Sequence, residues 1–122
     1  SLVGSEMCIR DSAYLIRKYG RMDTSEYARI MQLKTSELRG AILAIGGMSA
    51  MEWRNRYLLL EAQELMERTD MSITEIAAKL GFSQPSVFSK FFRTLTKSQP
   101  WEWRIEKKKP GSNRKRTYHR YE

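Results

Sequence analysis

Cysteine and histidine are almost missing from this chain: Cys8 and His119 each stand alone among 122 residues. A single thiol closes no internal disulfide and offers no paired-thiol zinc or redox site, and it suits a reducing compartment. One histidine, set in a basic C-terminal stretch, leaves no Ser/His/Asp, Cys/His or His-rich metal constellation to assemble. The chain is therefore read as not an enzyme, with no catalytic residue, no metal ligand and no cofactor. Long apolar runs are missing too. The longest, residues 41–48, contains two glycines, against the roughly 20 apolar residues that span a bilayer. No transmembrane segment and no membrane partner are expected. Acid is in the minority, with 14 Asp and Glu against 22 Lys and Arg, net +8. That balance favours a polyanionic partner.

What is present is enough for one domain-sized chain with a modest core, since 41% of the residues are hydrophobic, and too little for a large enzyme scaffold. Residues 1–12, SLVGSEMCIRDS, have no helical or strand period and the wrong flanks for a secretory signal. They resemble translated adapter sequence and are read as a non-native or disordered leader, with the chain a fragment. Charge is uneven: residues 13–104 carry net +4, while residues 105–122 carry seven basic and two acidic groups, net +5. That last segment is broken by Pro110, Gly111, Ser112 and Asn113 and lacks an apolar period, so a basic disordered tail is expected. It is either a solvated tail or an arm that follows phosphates, with Tyr118 and Tyr121 available to stack.

Sliding the chain against itself reveals an internal repeat near 50 residues. Asp23, Glu26, Ala28, Met31 and Leu33 match Ser72, Glu75, Ala77, Leu80 and Phe82 at an offset of 49. Leu38, Ile42, Glu52, Trp53 and Arg54 match Phe88, Phe92, Glu102, Trp103 and Arg104 at 50. The one-residue insertion falls at residues 83–87, where a turn enters a helix. Each copy opens on a small polar residue followed three positions later by Glu, Asp23 with Glu26 and Ser72 with Glu75, and both are read as capping boxes. A third, Ser49 with Glu52, opens the segment between the copies.

In the second copy Ile73, Ile76, Ala77 and Leu80 share one helical face, so a helix of about nine residues is expected. Gly81 suits the left-handed position past its end, and Phe82 plugs the angle to the next helix. Ser83 is the N-cap candidate there and Pro85 suits the first turn. Val87, Phe88, Phe91, Phe92 and Leu95 are expected to face inward. Gln84, Ser86, Ser89, Lys90 and Arg93 are left facing outward, polar and basic groups able to meet base edges and phosphates. Helix, tight turn and helix make this a candidate groove-entering unit.

The run SITEIAAKLGFSQPSVFSKFFRTLTKSQPWEWR resembles the second helix-turn-helix of the AraC/XylS family of bacterial transcription regulators. TSEYARIMQLKTSELRGAILAIGGMSAMEWRNRYLLLEAQELM is similar to that family's first helix-turn-helix and linker helix, so the resemblance covers roughly residues 12–104. It implies an all-α, homeodomain-like tandem: a first subdomain at 13–48, a linker helix at 49–69 and a second subdomain at 70–104. It also implies double-stranded DNA as partner, two recognition helices in successive major-groove segments, RNA polymerase as a further partner, and a cytoplasmic, nucleoid-associated location. The sensor domain that family members commonly carry has no counterpart in these residues, and no small-molecule effector site is expected in this chain.

A helix from residue 50 to about 68 would run roughly 28 Å at 1.5 Å per residue, approaching the ~34 Å of one DNA turn. Trp53, Tyr57, Leu60 and Leu65 are expected to pack it against both subdomains. The candidate DNA-binding residues are Ser83, Gln84, Ser86, Ser89, Lys90 and Arg93 in the second copy, and Thr35, Ser36 and Arg39 in the first. Three positions depart from the family pattern: Lys34 in place of a Ser cap, Leu58 in place of Arg, and Lys97 in place of Gly. The first recognition helix also carries Glu37, Gly40, and Leu43 where the family has a basic residue. Glu37 reads either as an acceptor for a cytosine amino group or as a surface charge. Two other readings stand beside the regulator. One is a helical protein-interaction module using Glu61, Glu64 and Glu67; the other is a nonspecific basic nucleic-acid binder, of RNA for example.

Overall fold

The computed structural model describes residues 14–108, and every regular element among them is helical. They are α1 (residues 14–19), α2 (Thr24–Ile30), α3 (Thr35–Gly46), α4 (Ala50–Arg68), α5 (Ile73–Lys79), α6 (Pro85–Thr96) and α7 (Pro100–Lys108). An all-α fold is what the repeat and its helical spacing predict. The chain divides into two compact units, Ser1–Leu58 and Leu59–Glu122. The boundary falls inside α4, so one half of this helix belongs to each unit. The expected leader, and the expected tail beyond Lys108, lie outside the described residues. The first four residues of that tail are the end of α7.

In the first unit the core is built from Leu15 and Ile16 of α1, Tyr27 and Ala28 of α2, Leu38 and Ile42 of α3, and Trp53 and Leu58 of α4, all buried. The second unit uses Leu59, Ala62 and Met66 of α4, Ile76 and Ala77 of α5, Phe88, Phe92 and Leu95 of α6, and Trp103 of α7. Phe92 meets Trp103 edge-on at 5.9 Å, and Phe82 meets Phe88 at 5.3 Å in the same manner. Burying each such ring contributes about 1.5–3 kcal/mol. Leu59, Ala62 and Met66 occupy i, i+3 and i+7 and are fully buried, whereas Tyr57, Leu60 and Leu65 are half-buried. Of the four α4 residues expected to pack, Trp53 is buried, and Tyr57, whose ring centre lies 5.0 Å from that of Trp53, is half-buried as are Leu60 and Leu65.

Several backbone hydrogen bonds repeat between the two copies. Leu33 N–H donates to Ala28 O at 2.8 Å, and Phe82 N–H to Ala77 O at 3.0 Å. Helix α3 ends on Gly47 (φ 66°, ψ 22°) and α6 on Lys97 (φ 65°, ψ 14°), both left-handed. Arg54 Nη1 donates to Met22 O at 3.1 Å. Its counterpart Arg104 gathers three carbonyls, with Nε on Met66 at 3.1 Å, Nη2 on Thr69 at 2.7 Å and Nη1 on Met71. These oxygens lie at and just beyond the end of α4, where helical carbonyls have no partner within the helix. Gly20 N–H to Ile16 O and Thr69 N–H to Leu65 O are also related by 49 residues. The C-terminal half of α4 is therefore the second unit's counterpart of α1.

Capping departs from expectation in three places. Ser72 and Glu75 form the complete box, with Glu75 N–H to Ser72 Oγ and Ser72 N–H to Glu75 Oε1, each 3.0 Å. Asp23 makes no side-chain cap bond, because the Glu26 N–H is taken by the Asp23 carbonyl at 3.0 Å. Lys34 has no acceptor to offer, so only the reciprocal half forms, from its N–H to Glu37 Oε1 at 2.8 Å. Ser83 is not the N-cap of α6; Gln84 is, without a side-chain bond, and Pro85 takes the first turn as expected. Helix α5 is seven residues rather than nine, because Leu80 closes it as the C-cap. Gly81 then takes φ 86° as expected.

Candidate nucleic-acid interface

The geometry of α6 begins with its buried stripe. Phe88, Phe92, Leu95 and Thr96 fall at i, i+4, i+7 and i+8 and are buried. Phe82, in the turn, holds Phe88 and also Phe91, the latter at 5.0 Å between ring centres. This fixes the rotation of α6 about its axis, and the opposite face is what remains for a partner. Gln84, Ser86, Lys90 and Arg93 are exposed on it, and Ser89 is half-buried at its flank. Ser86 Oγ donates to Gln84 Oε1 at 3.4 Å. Ser83 is exposed in the turn that leads in. Val87 does not face inward as expected but is 38% exposed, because it lies one residue, about 100°, ahead of the Phe88 stripe. The first turn of α6 has no acidic residue.

Helix α3 presents the equivalent face in the first unit, with Leu38 and Ile42 buried. Ser36 and Arg39 are exposed and Thr35 is half-buried. At an offset of 50, Gly40 stands where α6 has Lys90, and Leu43, 61% exposed, stands where α6 has Arg93. Glu37 is committed to the Lys34 N–H as a cap, which favours a structural role over reading a cytosine. Thus α6 brings its predicted residues onto one surface, and α3 brings a smaller, less charged set. Lys34, exposed at the position equivalent to Gln84, was not among the candidates. The repeat register, which pairs Lys34 with Gln84, was the signal that could have found it.

Among the described residues no group of His, Cys, Asp and Glu could hold a metal ion, and no helix is long and apolar enough to cross a membrane. Glu61, Glu64 and Glu67, the acidic surface of the interaction-module reading, are all half-buried. Glu64 is paired with Arg68 Nε at 2.5 Å. They do not form an open acidic face.

Two copies of a short helix, a tight turn and a longer helix with a polar outer face define a tandem helix-turn-helix protein. The family model of the helix-turn-helix domain matches residues 27–105. The regulatory protein PocR of Salmonella typhimurium is 41% identical over 58 residues, 48% of this chain and 19% of that protein. An AraC-type transcriptional regulator from Chromobacterium violaceum has the same fold, with a TM-score of 0.74 at 22% identity over 89% of this chain and 99% of that one. The DNA-binding domain of the global transcriptional factor AdpA, solved in complex with a target DNA, has a TM-score of 0.70 at 21% identity, over 83% of this chain and 89% of that one. The chain belongs to the helix-turn-helix domain family, and its fold is that of the AraC-type DNA-binding domains. It spans less than a fifth of the length of PocR.

Proposed function

We propose that the chain binds duplex DNA sequence-specifically, as the DNA-reading part of a bacterial transcription regulator, with α6 and α3 each entering a major groove. The observation that carries this is the α6 face. Its rotation is fixed by the Phe82–Phe88–Phe92 packing, and Gln84, Ser86, Lys90 and Arg93 are exposed opposite the core. In this reading Gln84, Ser86, Ser89 and Lys90 meet bases, and Arg93, Thr35 and Arg39 meet a mixture of phosphates and bases. Ser36 and Ser83 lie beside them and hydrogen-bond to whichever is nearer. The helix α6 supplies more of the specificity, since its face carries more donors and no acid. The basic segment beyond Lys108 adds phosphate contacts. RNA polymerase as a second partner, and a cytoplasmic, nucleoid-associated location, accompany the regulator reading.

The experiment is selection from a random duplex library at about 0.15 M salt, where surface electrostatics are already substantially screened. An enriched motif is the expected result. Retention of DNA without enrichment would replace this reading by nonspecific binding. Absence of duplex affinity would replace it by a protein-interaction module.

A further inference from the structure

We infer that α3 reads DNA through an apolar contact, with Leu43 against a thymine methyl group and Gly40 letting the helix backbone approach the base edges. The inference rests on the DNA-binding reading above and names what one of its faces recognises. Ser36, Arg39, Gly40 and Leu43 fall at i, i+3, i+4 and i+7, on the side of α3 away from buried Leu38 and Ile42. Glycine in the middle of a helix weakens it, so Gly40 needs a reason. Its own unit supplies none: a Cβ there would meet nothing within 4 Å, and Gly40 is not among the residues with positive φ. What the glycine does is lower the helix profile on the outward face, where a partner's surface can come close.

Leu43 stands one turn further along, 61% exposed. Its counterpart Arg93 suits a phosphate or a hydrogen-bonding base edge; a leucine offers no hydrogen bond to either. In a major groove the apolar feature available to such a side chain is the C5-methyl of thymine. The surroundings favour DNA over an apolar protein surface. Arg39 and Lys34 are exposed on the same helix and its cap, while Glu37, the one acid there, is held by the Lys34 N–H.

The test uses duplexes selected by the full chain, with the α3 block identified as the one whose specificity Arg39→Ala relaxes. Each thymidine in that block is replaced in turn by deoxyuridine, which removes only the methyl group. The expected result is one position where uracil weakens binding about fourfold, the transfer value of one buried methyl-sized group, and where Leu43→Ala abolishes the difference. Gly40→Leu is expected to fold at least as stably by thermal unfolding yet bind several-fold more weakly, which a purely structural glycine would not do. The inference is overturned if only an α6 block is enriched, if no uracil position matters, if the effect survives in Leu43→Ala, or if Gly40→Leu binds with full affinity. A library from which no duplex is enriched overturns the DNA-binding reading itself.

Discussion

Tyr27 is buried in the middle of α2, and its hydroxyl donates to Gly20 O and accepts from Met22 N–H at 3.1 Å. Removing that oxygen leaves a carbonyl and an amide without this partner, so Tyr27→Phe is expected to cost about 1–3 kcal/mol in thermal unfolding. Burial raises the Tyr27 pKa above its ordinary 10.0, against a smaller lowering from the Met22 hydrogen bond. A raised folded value means that the neutral hydroxyl's contribution is complete below pH 10.0 and is lost as pH rises through the higher folded value. The variant should therefore lack part of the alkaline loss of stability seen in the parent. An identical alkaline limb in both would remove Tyr27 as its source. Lys97 tests a different kind of strain, since it holds φ 65° where a side chain is disfavoured. Lys97→Gly is expected to raise stability by up to ~1 kcal/mol, the left-handed penalty less the entropy that glycine adds. A lower melting temperature would mean that the lysine side chain contributes more than its backbone costs.

Helices were the most legible level of this sequence, and their ends the least. The Phe88, Phe92 and Leu95 stripe and the Gly81 turn could be read because spacing and a required positive φ leave few alternatives. The Asp23 box could not, because the choice between its side chain and its own carbonyl as acceptor for Glu26 N–H is made by backbone geometry. Val87 was misplaced because apolar character alone does not say on which side of a stripe a neighbour falls. In the candidate site, the outward set on α6 followed directly from its buried one. The meaning of Gly40 did not, since the space around it is set by the fold and not by helical spacing. Where the box is complete it should titrate. Glu75 is held below its ordinary 4.5 by the Ser72 backbone N–H and, second, by the Ser72 side chain. A lowered folded value gives a contribution present above pH 4.5 and lost as pH falls through the lower value. Glu75→Gln should flatten the acid limb of stability, and an unchanged limb would assign it to other carboxylates. On α6, Gln84→Ala is expected to cost about 1–3 kcal/mol at one base position, whereas Arg93→Ala weakens all sequences alike if it meets phosphate.

At the scale of the whole chain the two units share a backbone plan but not a charge plan. The outward face of α6 keeps Lys90 and Arg93, that of α3 has Gly40 and Leu43 instead, and the segment beyond Lys108 adds Lys109, Arg114, Lys115, Arg116 and Arg120. Of the two outward helix faces, that of α6, together with the C-terminal segment, is therefore expected to neutralise more phosphate, while the α3 face, with Arg39 and the cap residue Lys34 as its exposed cations, adds selectivity with less charge. Counterion release gives this a measurable form, since each neutralised phosphate contributes about −0.9 to the slope of log affinity against log salt. Ending the chain after Lys108 retains all of α7 and the Lys108 contact to Asp70. That truncation should flatten the slope by about 0.9 per phosphate lost and leave the selected motif unchanged. Leu43→Arg should do the reverse, steepening the slope by about 0.9 and relaxing selectivity in the α3 block, because it gives the first unit the charge its counterpart already carries. An unchanged slope after truncation would show that residues 109–122 touch no phosphate. An unchanged slope in Leu43→Arg would place that end of α3 away from the DNA backbone.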